Sequence, residues 1–303
     1  MDAKAVPARL PLSETGSLVW SNNTSQRSKK TLTSPTTPRA RTRIISRPMS
    51  KKLSVTIITF NEEKNIQRCL DSVVSVADEI IVVDSFSTDK TQEICQSYQV
   101  TFVPHKFQGH IEQKNKALEL ASFDHVLSLD ADEALSEELQ KKILEEKEKG
   151  FPSKGYQFNR LTHYVDQWIT HCGWYPDVKL RLVEKKGARW SGVNPHDFLT
   201  LDSAEIKHLK GQLLHYSYNS ISEHVNQTNK FTTISAQAAF DRGVRSSVFK
   251  IVTRPALKFL RDYFYKLGFL DGRYGFIICC INSLSALLKY SKIYDLQRGK
   301  SIS

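Results

Sequence analysis

The 303-residue chain carries 43 Lys and Arg against 32 Asp and Glu, a formal charge of +11, and is long enough to bury one large α/β core or two small ones. Residues 1–52 hold eleven Lys and Arg against two acids, so +9 sits there and only +2 on the remainder. A nearly neutral body excludes overall basicity as a nucleic-acid signature, and no nucleic-acid partner is expected.

In chain order, residues 1–52 are rich in Ser, Thr, Pro and Arg and lack periodic apolar residues, which predicts a disordered basic tail. Its acid-poor composition resembles a transit peptide, while Met49, just before the first strand, offers a natural start. No basic start followed by an unbroken apolar run marks a secretory signal, so a cytoplasmic location is expected. Leu53–Phe60 is a β-branched apolar run ending at Asn61-Glu62-Glu63, a buried strand followed by a helix start. Leu70, Val73, Val74 and Ala77 recur at helical spacing. A second strand, Glu79–Asp84, ends in the turn-rich stretch Ser85–Thr91, a helix is predicted over Thr91–Tyr98, and a short strand over Val100–Val103. A helix over Gln113–Ala121 then leads to the strand His125–Asp130. Strands alternating with helices, with polar residues collected at strand C-termini, predict an open parallel α/β sheet whose ligands sit at that edge.

Beyond Gly150 aromatics and His become dense, and Val178–Val183 alternates polar with apolar, which predicts an antiparallel or mixed extension closing over the site, within a first domain of residues 53–219. Residues 220–303 read as helical. Phe249–Leu267 mixes Phe, Leu, Ile and Tyr with Lys250, Arg254, Lys258, Arg261 and Lys266. It reads equally as a packed helix with wet lysines or as a peripheral contact with an anionic membrane. The apolar stretch Phe276–Leu288 is interrupted by Asn282, Ser283 and Ser285 and falls short of the roughly 20 residues a spanning helix needs, so none is predicted. Five cysteines, Cys69, Cys95, Cys172, Cys279 and Cys280, form no CxxC pair, which predicts reduced thiols, three of them filling core.

Three strand ends carry the chemistry. Asp130-Ala131-Asp132 can gather oxygens around one hard cation, Mg²⁺ or Mn²⁺, shared with a diphosphate. The bland alternative is a solvated helix start in which Asp132 and Glu133 favour the helix dipole. Asp84 can accept from a uracil N–H or from ribose hydroxyls, or merely bond its own turn. Asn61 and Glu62 lie on the same edge.

With those residues in order and spacing, the chain resembles glycosyltransferase family 2, inverting enzymes with a GT-A fold. The pieces that carry the resemblance are Val55–Glu62, Ile81–Thr91, Gln113–Ala117 and Leu127–Glu133. Within the family it is most similar to the lipopolysaccharide-core β-1,4-glucosyltransferase group, through Gly173–Asp177, Leu180–Leu182, Trp190–Gly192, Pro195–Asp197 and Gly268–Gly272. That group usually shows His-Glu where this chain has His196-Asp197. The resemblance implies a Rossmann-like GT-A domain with a mixed sheet and a helical C-terminal extension. It also implies a UDP-sugar donor, a divalent cation, and a glycan or glycolipid acceptor reached at the cytoplasmic face of the inner membrane. Asp84 would contact the base, Asp130 the ribose or sugar, Asp132 the metal, and Lys114 the donor phosphates. An inverting displacement needs one carboxylate as base. Asp177 is the first candidate and Asp197 the second, with His196 as its partner or as a metal ligand. A same-fold transferase acting on a protein, a polyisoprenyl phosphate or a capsular glycan, and a nucleotide-binding module without turnover, are the alternatives.

Overall fold

The computed structural model describes residues 50–193 and 196–302; the expected basic tail, apart from Ser50–Lys52, lies outside the described residues. The β-branched run Leu53–Thr59 forms β1, buried at every position but Ile58. It pairs in parallel with β2 (Glu79–Asp84) on one side and β4 (His125–Asp130) on the other, while β3 (Thr101–Pro104) edges β2. Burial on both faces is why these strands read as continuous apolar runs. Helix α1 (Ile66–Val73) turns Ile66, Cys69, Leu70 and Val73 inward, one face at helical spacing. It packs with Ile57, Leu127 and Leu129 into the main core. Helix α2 (Thr91–Gln96) stops two residues short of the predicted end. Helix α3 (His110–Leu120) starts three residues earlier than predicted and covers the other face through Ala117 and Leu118, against Ile81, Val83 and Val126.

Asp132 and Glu133 do not open a helix. The chain turns at Ala131, forms a short strand β5 (Glu133–Leu135), and only then enters α4 (Glu137–Glu148), capped by Ser136, whose hydroxyl accepts from Leu139 N. Next come β6 (Gly155–Tyr164), β7 (Gln167–Ile169), β8 (Asp177–Glu184), the hairpin β9 (Ala188–Val193) with β10 (His196–Leu201), and β11 (Ile206–Tyr218). The large sheet has the order β3-β2-β1-β4-β8-β6-β11-β5, with β7 on β6. β8 runs antiparallel to both neighbours, so the sheet is mixed, in the α/β class. Gly211, at φ +96°, sits in a register shift of β11, where a Cβ would come within 2.5 Å of Leu139 N; only glycine lets β11 approach α4 so closely.

Three long helices follow: α5 (Ile221–Asp241), α6 (Val248–Leu260) and α7 (Gly272–Gln297). A π turn over Arg261–Tyr265 and a 3₁₀ turn over Gly268–Asp271 join the last two. The buried Asp271 carboxylate ties them to the sheet, accepting from the backbone N–H groups of Thr170 (3.2 Å) and His171 (2.8 Å). The polar residues read as interrupting Phe276–Leu288 leave α7 unbroken, and two of them bond to neighbouring elements. Asn282 donates to Asp262, and Ser283 to the carbonyl of Pro255. By length and composition alone, the helical stretch Gly268–Gln297 is long and apolar enough to cross a membrane, where none was predicted. Four cysteines rather than three are buried, Cys69, Cys95, Cys172 and Cys279, and all five are free thiols.

Candidate active site

The parallel strands deliver their C-terminal residues to one edge. Above it lies a cavity of about 590 Å³ lined by Glu62 after β1, Ser85 after β2, Gln113 of α3, Asp130 at the end of β4, Asp132 just after it, and His215 of β11. Of the sequence candidates, Glu62, Asp130 and Asp132 therefore converge. Asp84 is 3 % exposed and bonded to its own turn, accepting from Ser87 N at 2.8 Å and Ser87 Oγ at 2.5 Å; Ser85 faces the cavity in its place. Asn61, at φ 54°, clamps the same turn: its side-chain oxygen accepts from Thr88 N at 2.8 Å.

Helix α3 explains the Gln113-Lys114-Asn115 run, since each side chain fixes a different wall. Gln113 donates to Ser85 Oγ at 3.0 Å. Asn115 exchanges two 2.9 Å bonds with the backbone of Trp190. Lys114, 4 % exposed, reaches Asp197 at 2.7 Å and Asp130 at 3.0 Å, over the Trp190 ring. Lys114 thus holds two of the candidate carboxylates.

The ion pairs continue across the sheet. Arg181 bridges Asp130 (3.3 Å) and Glu133 (2.7 Å); Glu133 meets Arg160 (3.3 Å); and Arg160 meets Asp177 (2.9 Å), which also takes Lys179 (2.9 Å). Burial alone would raise the Asp130 carboxyl, but Lys114 and Arg181 override it and hold it well below the usual carboxylate range. Burial likewise opposes the charge of Arg181, yet Glu133, Asp130 and Asp197 keep its guanidinium firmly protonated. Among the described residues Glu62 forms no such ion pair. Burial, reinforced by Asp132, Asp89 and Asp130 and only partly offset by a hydrogen bond from Asn65, pushes it up to about 7.

Asp132 stands outside the chain of ion pairs. One carboxylate oxygen lies 3.2 Å from His215 Nε2, because β5 pairs with β11 in a register that sets His215 opposite Glu133. Asp177 is the first residue of β8, opposite Arg160 of β6, rather than a turn residue. It faces a second cavity, about 730 Å³, which it shares with Arg160, Trp174, His215, Tyr218 and Lys289. Asp197 is a member of β10 and, among the described residues, lines neither cavity. The backbone of His196 pairs with Val193; its side chain lies outside the described residues.

The family model for glycosyl transferase family 2 matches residues 54–176, which hold β1 but for Leu53, the elements on to β7, and every acid of the first cavity. A glycosyltransferase of Rickettsia typhi is 32 % identical over 81 % of this chain and 88 % of its own length. The chain belongs to glycosyl transferase family 2. It is also 29 % identical, over 80 % of its length and 92 % of the relative, to the lipopolysaccharide core biosynthesis glycosyltransferase LpsC of Rhizobium meliloti. Among solved structures it is similar to S. aureus TarS 1–349 in complex with UDP, with 15 % identity, a TM-score of 0.41, and coverage of 82 % and 92 % of the two chains. Family membership makes this protein a transferase and its mixed sheet a GT-A sheet. In this family 2 enzyme Arg160, Arg181, Glu133 and His215 join the site beside the residues singled out from sequence. Glu133 and Arg181 lay inside the resembling segments Leu127–Glu133 and Leu180–Leu182 with no role assigned to them, whereas Arg160 and His215 stood in no segment singled out from sequence.

Proposed function

We propose that this family 2 enzyme moves a hexose, glucose first among candidates, from a UDP-sugar to a hydroxyl of a glycan or glycolipid of the lipopolysaccharide-core kind, with inversion. The observation that carries the reading is that the two cavities meet at His215, one walled by Asp130 and Asp132 and the other by Asp177. The first would take the donor and the second the acceptor. Aromatic walls such as Trp174 and Tyr218 suit sugar faces, and the similarity to LpsC, a lipopolysaccharide core biosynthesis glycosyltransferase, supports the acceptor class.

The acids of the first cavity fit a hard divalent cation, Mg²⁺ or Mn²⁺, which prefers oxygen ligands. Burial first, and then the nearby charges of Asp132, Asp89 and Asp130, push the Glu62 carboxyl up to about 7, and a cation beside it would favour its charged form. Among the described residues Asp130 Oδ1 is buried with no hydrogen-bond partner, its 3.0 Å ion pair with Lys114 being its one polar contact. No group of three or more His, Cys, Asp or Glu among the described residues would hold an ion unaided. An ion sharing its shell with a diphosphate needs only one or two carboxylates. Asp132 would hold it, with His215 as orienting neighbour or ligand. When bound, the cation would neutralise charge on the leaving diphosphate.

The chain's own residues do the rest. Lys114 and Arg181 keep Asp130 ionised and fixed, and Gln113 fixes the Ser85 wall. As the acceptor oxygen attacks the anomeric carbon and the bond to the diphosphate breaks, Asp177 takes the hydroxyl proton and UDP departs.

Calorimetric titration with UDP tests the donor half. Wild-type affinity is expected to depend on Mn²⁺, and Asp132→Ala to remove that dependence. His215→Ala is expected to lower affinity in Mn²⁺ by roughly 10- to 100-fold, as loss of a group orienting a metal ligand does. Equal UDP affinity for wild-type and Asp132→Ala protein in Mn²⁺ would remove the metal role.

A further inference from the structure

Helix α6 keeps none of its 13 residues buried. Phe249, Val252, Ala256 and Leu260 recur three or four apart and form one stripe, with Phe249 75 % and Val252 64 % exposed. Lys250, Arg254, Lys258 and Arg261 recur at the same spacing and form a second stripe beside it. The third side packs on α7, where the ring of Phe259 meets Phe276. The turn that follows adds Phe264, Tyr265, Leu267, Phe269 and Leu270, between 43 % and 83 % exposed. So many contiguous large apolar side chains in water mark a docking surface.

Charge identifies the occupant. From Arg245 to Arg273 the only acids are Asp262 and Asp271. They are 1 % and 3 % exposed, the first paired with Lys258 and Arg261 and the second committed to Thr170 and His171. Every outward charge of the segment is therefore positive. An anionic partner with an apolar interior satisfies both stripes at once. A nucleic acid would match the cations and leave the aromatics wet, and a two-fold contact between copies would set cation stripe near cation stripe. Nor does α7 itself fit a bilayer span. Lys289 lines the second cavity, and Lys292 donates to Asn229 O at 2.9 Å and Thr233 Oγ1 at 2.7 Å on α5.

We propose that α6 and the Arg261–Asp271 turn dock this protein on an anionic lipid bilayer. The apolar stripe lies in the interface plane and the cations lie at the headgroups. The Lys266 side chain of this turn lies against Gly173, on the rim of the second cavity, so docking sets that cavity beside the lipid surface. The inference is independent of the transferase reading, because its test reads binding and not turnover.

The full chain is sedimented with phosphatidylcholine vesicles containing or lacking phosphatidylglycerol. Binding is expected to require phosphatidylglycerol and to fall as salt rises. Lys250→Gln/Arg254→Gln is expected to weaken it by about tenfold or more, and Phe249→Ser/Val252→Ser/Leu260→Ser to abolish it. Melting temperature and UDP titration serve as folding controls. Four results would overturn the proposal: equal binding to both vesicle types, binding untouched by the apolar variant, lipid-free self-association that the apolar variant abolishes, or membrane association that resists alkaline carbonate.

Discussion

Arg181→Met is expected to cost about 3–5 kcal/mol of folding stability, the usual consequence of removing one partner from a buried ion pair. Arg181 is 3 % exposed, and its loss strands Glu133, 1 % exposed, with Arg160 alone at 3.3 Å. Asp130 would keep only Lys114. Adding Glu133→Gln is expected to recover at least half of the loss. The amide is neutral and still accepts from Asp130 N, which donates to Glu133 at 3.1 Å. Urea denaturation measures both variants. A single variant within about 0.5 kcal/mol of wild type, the scale of ordinary surface substitutions, would mean that Arg181 does not hold the network together.

Asp177→Asn should leave UDP-sugar affinity within a few fold while turnover falls by roughly 10² to 10⁴, because amide and carboxylate share a shape but only the carboxylate takes a proton. Asp197→Asn should be much milder, since Asp197 is bound to Lys114 and, among the described residues, lines neither cavity. Single-turnover kinetics with saturating donor separates the two. An inactive Asp197→Asn beside an active Asp177→Asn would transfer the base to β10.

The edge that carries the first cavity was legible in the sequence because parallel strands buried on both faces announce themselves as apolar runs, and their polar ends mark one sheet edge. Asp130, Asp132 and Glu62 were found that way. Arg181 was not, since Val178–Val183 alternates like a half-exposed strand. Only the insertion of β8 between β4 and β6 turns that arginine into the interior. His215 was hidden for a similar reason: its meeting with Asp132 depends on the β5–β11 register, which no local pattern encodes. Asp84 shows what a strand end does not reveal. Its place at a strand end suggested a ligand contact, but the carboxylate satisfies Ser87 two ways within its own turn. The cationic spacing of α6 was visible from sequence. That its apolar stripe stays uncovered was not, because burial depends on where α7 packs.

UDP release in Mn²⁺ from UDP-glucose, UDP-galactose and UDP-N-acetylglucosamine, each with a lipopolysaccharide-core acceptor, tests the central claim most directly. Acceptor-dependent release from at least one donor is predicted, strongest with UDP-glucose, lost on chelation and in Asp132→Ala. A melting temperature raised by UDP and Mn²⁺, with no release from any donor, would contradict it and leave a nucleotide-binding module without turnover.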